Sequence, residues 1–144
     1  MTLRVPSARP ETYVRVVRID VAELGGRCTL ERYPPNDWQA RVWAVLGNAI
    51  EQAQEAVLDL LGEGGGGILF LVPFASNDPA DRAAVSGLHG LARSIAKEYG
   101  RKNIRCNVIV GRSSHVEMLL ETNGAITGEL LVIEDEIETG SGLD

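Results

Sequence analysis

The sequence predicts an α/β fold with an open, mainly parallel sheet, and three observations lead to this class. Long segments with apolar residues at helical spacing alternate with short runs of β-branched and aliphatic residues. One run, residues 68–72, is apolar throughout, which is typical of a strand covered on both faces. The order strand, helix, strand, helix, strand then requires right-handed crossovers between parallel neighbours.

Composition and charge restrict the classes of partner. The chain of 144 residues is 44% hydrophobic and 24% charged, as expected for one folded globular domain. Its 20 acidic and 14 basic residues give a net charge of −6, so the basic surface of a nucleic-acid-binding protein is not expected. No stretch approaches the ~20 apolar residues of a membrane span, and no signal peptide is evident. We therefore expect a cytoplasmic protein with neither nucleic acid nor membrane as a partner.

The two cysteines predict no disulfide framework. Cys28 and Cys106 are far apart, and neither belongs to a C-x-x-C spacing. Two buried, reduced thiols are therefore expected.

The N-terminal part of the chain is expected to contain one strand and then loops. Residues 1–11 include two prolines and show no periodicity, whereas residues 13–21 are typical of a β-branched strand. Gly25-Gly26 and Pro34-Pro35 favour loops, with one more short strand predicted at 28–32.

A long amphipathic helix is predicted after Asn36-Asp37, either of which is a good N-cap. Its apolar residues recur at steps of three and four, and they are Val42, Leu46, Ala49, Ile50, Ala53, Val57, Leu60 and Leu61. Gly62 is the expected stop, and Gly64 to Gly67 are expected to form a turn into the apolar strand.

A second helix is predicted to begin at Asp78-Pro79. Asp78 suits the N-cap, Pro79 suits the first helical position, and Gly100 is the expected stop. The apolar stripe is Ala84, Leu88, Leu91, Ala92, Ile95 and Tyr99. A separate line contains only small side chains, which permit very close approach of another backbone. These residues are Ala83, Gly87, Gly90 and Ser94, and we expect them at a subunit interface; the alternative is packing on the chain's own sheet.

Two further strands, at 104–110 and 129–133, precede an acidic end. The chain is therefore expected to be a single domain. It would comprise a divergent N-terminal segment over 1–37, a regular helix-and-strand region over 38–135, and a solvated tail over 136–144.

From about Trp38 to Asp135 the sequence resembles the C-terminal two-thirds of the short-chain dehydrogenases/reductases, a family of Rossmann-type NAD(P)-dependent oxidoreductases. Three matches carry the resemblance. The first is the helix from Trp38 with its glycine turn. The second comprises Arg82-Ala83-Ala84-Val85-Ser86-Gly87-Leu88, Ser94 through Gly100, and Ile104-Arg105-Cys106-Asn107. The third is Ile126-Thr127-Gly128-Glu129-Leu130-Leu131-Val132. The second match is similar to the family's catalytic helix and the strand after it. The resemblance implies a truncated, Rossmann-like three-layer sandwich.

The family's catalytic residues do not carry over to this sequence. Where the family has a Tyr and, four residues later, a Lys, this chain has Asp78 and Arg82. An ionised Asp has no proton to donate near neutral pH, and Arg differs from Lys in geometry. The family's Ser falls on or near Val72-Pro73 and its helix Asn near Leu46. All four catalytic roles are therefore vacant.

Cofactor binding is not expected in this chain. A dinucleotide fold holds the pyrophosphate with a glycine-rich turn between a strand and a helix N-terminus. Nothing before Trp38 supplies that turn, and the cluster Gly64 to Gly67 precedes a strand instead of a helix. Any NAD(P) is therefore expected to be bound by a partner subunit.

Asp78, Arg82 and His89 remain as weak catalytic candidates. Asp78 and Arg82 are four residues apart and could bind a small polar ligand, although a cap and an ion pair explain both. A lone histidine is more often structural than a general base. His115 and Glu117 lack the P-C-x-x-C element of a zinc deaminase, so no metal site is expected.

The functional hypothesis follows from the part of the family's fold that this sequence retains, which is the pair of long helices. In the family the two long helices commonly build a four-helix interface between subunits, and Trp43 suits either the core or an interface. The resemblance therefore implies a non-catalytic subunit that pairs with itself or, as the favoured option, with a full-length NAD(P)-dependent dehydrogenase or ketoreductase. It would stabilise that partner or shape its active site.

Two alternatives remain open. One is a small enzyme whose remodelled site performs dehydration, isomerisation or cyclisation without a cofactor, in acyl or polyketide metabolism. The other is a binding module for a small apolar ligand.

Overall fold

The computed structural model describes residues 2–6, 13–21, 38–72, 79–111 and 126–133. Within these ranges the chain forms one five-stranded sheet and two long helices. The strands are β1 (Thr2–Pro6), β2 (Tyr13–Asp20), β3 (Gly66–Val72), β4 (Ile104–Val110) and β5 (Leu130–Val132). The helices are α1 (Trp38–Gly62) and α2 (Pro79–Tyr99), and a 3-10 turn over Gly100–Lys102 follows α2.

The sheet has the order β1-β2-β3-β4-β5, with β2 to β5 parallel and β1 antiparallel to β2. The expected α/β class with an open, mainly parallel sheet is confirmed. The expectation for residues 1–11 is wrong, because Thr2–Pro6 form an edge strand. An edge strand pairs on one side only, so Pro6 is tolerated there. A strand of five residues is also too short to show the alternation of apolar and polar residues. The short strand expected at 28–32 lies outside the described residues.

Both described helices lie on one face of the sheet. The connections β2-α1-β3 and β3-α2-β4 each lead to the next strand in the same direction across the sheet. Because crossovers of this kind are right-handed, α1 and α2 lie side by side on the same face. The core under them contains Ile19, Ile68, Phe70, Val108, Ala53, Leu60, Leu88 and Ala92, among others. On the opposite face Leu69, Leu71 and Ile109 are also buried. The continuous apolar run of β3 is therefore explained by burial on both faces.

The apolar pattern of α1 was only partly predicted by its spacing. Ala49, Ala53, Val57 and Leu60 are buried, as expected. The prediction is wrong for Ile50 and Leu61, which were expected in the buried stripe but are 42% and 37% exposed. A stripe of this width is broader than the strip of helix surface that one sheet can cover. The stripe of α2 is confirmed, since Ala84, Leu88, Ala92 and Ile95 are all buried.

The glycine cluster serves the passage from α1 to β3. Gly64, Gly65 and Gly66 have φ values of +84°, +126° and +152°. A Cβ on Gly66 would lie 2.5 Å from Leu60 Cδ2 and 2.6 Å from the carbonyl oxygen of Arg15. Glycine is therefore required where the strand starts so close to the end of the helix. The turn is shorter than expected, because Gly66 and Gly67 already belong to β3.

Candidate functional site

The three catalytic candidates are not gathered into a recognisable reaction centre by the described residues. Arg82 is exposed on the first turns of α2, and Asp78 lies outside the described residues. His89 is half-buried two turns further along the same helix, with its Nε2 atom 3.1 Å from the carbonyl oxygen of Gly128. This hydrogen bond gives His89 a structural task, which is to hold the segment that leads into β5.

The segment 126–129 is fastened to β4 by further hydrogen bonds. The fully buried Asn107 donates through Nδ2 to the carbonyl oxygen of Ile126 at 3.0 Å and accepts at Oδ1 from the amide of Glu129 at 3.1 Å. The amide of Cys106 donates to Thr127 Oγ1 at 3.1 Å, and the amide of Gly128 donates to the carbonyl oxygen of Cys106 at 2.7 Å. This clasp, together with His89, fixes the start of β5.

Asn107 is a structural residue to which sequence reasoning assigned no role of its own. The signal was present, because Asn107 interrupts the otherwise apolar second half of β4. A polar side chain at a buried strand position must find hydrogen-bond partners, and here it finds them in a segment about 20 residues away along the chain.

Cys106 is a buried free thiol, as expected. Burial away from water raises the pKa of its thiol, so the group stays protonated and is unsuited to act as a nucleophile. Cys28 lies outside the described residues.

An open groove of about 510 Å³ lies between the C-terminal half of α2 and the clasped segment. Arg93, Lys97 and Glu129 line it, so both signs of charge are present. Arg82 and His89 do not line it. In the described ranges there is also no group of three or more His, Cys, Asp or Glu side chains that could hold a metal ion. Within those same ranges, neither helix combines the length and apolarity needed to cross a bilayer.

A stripe of exposed apolar side chains runs along α1. Trp43 is 75% exposed and Leu58 is 70% exposed, and Ile50 and Leu61 belong to the same stripe. These residues follow one another at steps of seven, eight and three positions, so they lie on one side of the helix. Gly47 and Gln54, both exposed, occupy the gaps. Sequence reasoning missed Leu58, whose position relative to Leu61 and Ile50 was the available signal.

The small-residue line of α2 lies beside this stripe. Ala83, Gly90 and Ser94 are exposed, and a Cβ on Gly90 would meet nothing within 4 Å. Ser94 Oγ donates to the carbonyl oxygen of Gly90 at 2.9 Å. At Gly87, a Cβ would lie 2.8 Å from both Cδ atoms of Leu46 on α1. Its lack of a side chain therefore serves contact between the chain's own helices, and not with its sheet.

We call the combined surface the outer face. It consists of Trp43, Gly47, Ile50, Gln54, Leu58 and Leu61 on α1 and Ala83, Gly90 and Ser94 on α2. Glycine in the middle of a helix costs roughly 0.5–1 kcal/mol relative to alanine. At both Gly47 and Gly90 a Cβ would meet nothing within 4 Å, so contacts among the described residues do not explain these two glycines.

No protein-family model matches the chain, and no curated protein matches it. Several solved structures match the chain. One is a protein described as a short-chain dehydrogenase/reductase from Burkholderia xenovorans, at 18% identity and a TM-score of 0.63, covering 88% of this chain and 64% of that one. Another is a mutant of the DEH reductase A1-R′, at 18% identity and a TM-score of 0.60 over 82% and 62% of the two chains. A third is A1-R′ itself, an NADH-dependent reductase responsible for alginate metabolism, at 18% identity and a TM-score of 0.57 over 82% and 62%.

The similarity concerns the fold. This chain spans less than two thirds of the length of each of these proteins. The α/β architecture of the described residues, with a mainly parallel open sheet, is similar to part of the fold of these solved short-chain dehydrogenase/reductase structures.

Proposed function

We propose that this chain is a non-catalytic subunit that assembles through the outer face, either with itself or with a full-length NAD(P)-dependent short-chain dehydrogenase or ketoreductase. In the second case it stabilises the enzyme or shapes its active site. The observation that carries the proposal is the stripe of exposed apolar side chains on α1, from Trp43 to Leu61.

The stripe supports an interface because four large apolar side chains are exposed along one side of the same helix. Single exposed hydrophobic residues are common on soluble proteins, whereas contiguous apolar patches mark surfaces that bind other molecules. Trp43 is the kind of large aromatic residue that often dominates binding energy at an interface. Small residues beside it, such as Gly90, let a partner helix approach closely.

Three features support the absence of catalysis in this chain. Asp78 and Arg82 occupy the positions that resemble the family's Tyr and Lys. His89 is engaged with Gly128, which leaves the alternative of a remodelled enzyme with little support. The described strands follow one another in chain order without reversal, whereas open α/β sheets bind dinucleotides in the crevice where the strand order reverses.

The assembly test uses a bulky residue on the outer face. Gly90→Trp places a large rigid side chain in open space, so it leaves the fold intact and blocks a partner helix. Gln52→Trp is the matched control, because Gln52 is exposed on α1 but does not belong to the stripe. Sedimentation velocity is run on each protein alone and in mixtures with purified full-length short-chain dehydrogenases. We expect association of the wild type and of Gln52→Trp but not of Gly90→Trp. A wild-type chain that stays monomeric in every mixture would refute the proposal.

The cofactor test is independent of assembly. Calorimetric titration of the isolated chain with NADH and with NADPH is expected to show no saturable binding. A dissociation constant below roughly 100 μM, worth more than about 5 kcal/mol, would contradict the assignment of cofactor binding to a partner.

A further inference from the structure

We propose that the groove between the C-terminal half of α2 and residues 127–129 binds small phosphate monoesters that also carry an amino group. We call it the α2 groove. Of the residues that line it, only Ser94 belongs to the outer face, so the inference goes beyond the proposed function and does not depend on it. Three observations lead to it: two cations on α2 without an ion pair, a hydroxyl donor on a fixed segment of backbone, and one carboxylate beside them.

The α2 groove lies at the edge of the sheet where the parallel strands begin. Residues 127–129 lead into β5, and α2 ends shortly before the start of β4. Open α/β sheets bind dinucleotides at the opposite edge, outside the carboxyl ends of the strands. Arg93 follows Arg82 by 11 positions, or roughly 16 Å along the helix. A ligand in the α2 groove is therefore remote from the positions that resemble the family's catalytic residues.

Two cations line the α2 groove, and within the described residues neither forms an ion pair. Arg93 and Lys97 are both exposed and four positions apart, so they lie one turn apart on the same side of α2. Like charges at this spacing destabilise a helix, and an anion bound between them removes the repulsion. The helix dipole explains Lys97 in the last turn, but Arg93 lies more than one turn before the end of α2.

The charge around the α2 groove is positive although the whole chain is acidic. Five of the 14 basic residues fall within residues 93–105, all of them exposed, and this segment contains a single acid, Glu98. A concentration of positive charge attracts anions and raises their local concentration. A phosphate monoester carries about 1.5 to 2 negative charges near neutral pH, so it gains more from this surface than a carboxylate does.

Thr127 supplies a hydroxyl donor to the α2 groove. Its Oγ1 accepts a hydrogen bond from the amide of Cys106 at 3.1 Å, and its own proton has no acceptor among the described residues. The backbone beside it is fixed, because the amide of Gly128 donates to the carbonyl oxygen of Cys106 at 2.7 Å and His89 Nε2 lies 3.1 Å from the carbonyl oxygen of Gly128. A donor on such a fixed segment loses little freedom when it binds a phosphate oxygen.

Glu129 distinguishes one phosphate monoester from another. Its backbone is held on both sides, since its amide donates to Asn107 Oδ1 at 3.1 Å and its carbonyl oxygen accepts from the amide of Val108 at 2.9 Å. Its exposed side chain lines the same groove as the two cations. A carboxylate opposes an anion unless the ligand also presents a positive group to it. The arrangement therefore fits a ligand with a phosphate for Arg93 and Lys97 and an ammonium group for Glu129.

The size of the α2 groove suits a small molecule. Its volume of about 510 Å³ falls within the range of small-molecule sites, roughly 300–1,000 Å³. The groove is open to water, which weakens each charged contact. We therefore expect dissociation constants in the millimolar range.

Amide chemical shifts of the ¹⁵N-labelled full chain record both where a ligand binds and how tightly. Inorganic phosphate and O-phosphoethanolamine are titrated separately. We expect shifts concentrated at residues 93–97 and 127–129, with O-phosphoethanolamine binding at least about threefold more tightly than phosphate. Shifts spread over other parts of the chain, or no shifts up to about 20 mM of either ligand, would overturn the inference.

Two double variants separate a site from general attraction, because each removes two positive charges. Arg93→Gln with Lys97→Gln should weaken the binding of O-phosphoethanolamine at least about tenfold, since both groups contact the phosphate. Arg101→Gln with Lys102→Gln is the matched control, because these exposed cations do not line the α2 groove. It should keep the wild-type affinity within about twofold at physiological salt. Equal losses in the two double variants would overturn the inference.

Single variants test the hydroxyl and the carboxylate. Thr127→Val should weaken binding about fivefold, and Thr127→Ser, which keeps the hydroxyl, should restore it. Unchanged affinity in Thr127→Val, or equal losses in both variants, would overturn the role of the hydroxyl. Glu129→Gln should bind inorganic phosphate more tightly than the wild type and lose the preference for O-phosphoethanolamine. A preference that survives in Glu129→Gln would overturn the proposed ligand class.

Discussion

Gly87 and Gly90 lie one turn apart on α2, and their replacement by alanine should have opposite effects on stability. Both positions are helical, so alanine removes the same backbone entropy cost from each, roughly 0.5–1 kcal/mol. At Gly90 the new methyl group meets nothing within 4 Å. Gly90→Ala should therefore raise the free energy of unfolding by nearly the full amount, which for a chain of this length raises Tm by about 3 °C per kcal/mol.

At Gly87 the methyl group would lie 2.8 Å from both Cδ atoms of Leu46, well inside ordinary contact distance. Leu46 is partly buried against the core and must shift to make room. Overpacking of this kind costs about 1–3 kcal/mol. Gly87→Ala should therefore be less stable than Gly90→Ala by about 1–3 kcal/mol, although the two substitutions are chemically identical.

Urea unfolding at several protein concentrations measures the difference, because association would otherwise add to apparent stability. A double-mutant cycle with Leu46→Ala isolates the contact, and Gly87→Ala should cost far less once Leu46 is truncated. Equal stabilities of Gly87→Ala and Gly90→Ala, or no coupling to Leu46, would refute the packing of Leu46 on α1 against Gly87 on α2. In the same samples, Gly90→Ala should weaken association while it stabilises the monomer.

Three further predictions concern the clasp and the thiol. Asn107→Ala leaves the Ile126 carbonyl and the Glu129 amide without this partner and should cost about 2–5 kcal/mol in urea unfolding; a cost below 1 kcal/mol would show that the clasp is unimportant. His89→Ala should cost about 1 kcal/mol and leave association unchanged, and a specific loss of any cellular activity at normal stability would instead favour the remodelled-enzyme alternative. Burial raises the pKa of the Cys106 thiol above its ordinary value of 9.0. Above pH 9 the thiol therefore ionises in the unfolded chain but not in the folded one, so its contribution to the free energy of unfolding is complete below pH 9 and declines by about 1.4 kcal/mol per pH unit above it. Cys106→Ala should lack this part of the alkaline decline, and an identical pH profile would contradict the burial.

The fold was predictable because its determinants are local. The steps of three and four in α1 and α2, Pro79 at the start of α2, and the apolar run of β3 each specify an element from a few neighbouring residues. The edge strand β1 was not predictable in this way, since its only described partner is β2 and its five residues carry no pattern of their own.

The outer face was predictable in part for a related reason. Helical spacing shows which residues share a face, but it does not show how far the sheet and the neighbouring helix extend over that face. Ile50 was therefore expected in the core, and Leu58 was overlooked. For Gly87 the spacing did not reveal the contact with the side chain of Leu46. The clasp depends on residues about 20 positions apart, which no local pattern brings together.

The strand order of the sheet also bears on how the chain is made. Each of the four described strands after β1 pairs with the described strand that precedes it in the sequence. During synthesis every new strand therefore finds its neighbour already released from the ribosome, and no exposed strand edge has to wait for a distant segment. The clasp of Asn107 then forms last, when residues 126–129 emerge, so the fold closes at the point where translation of the described region ends.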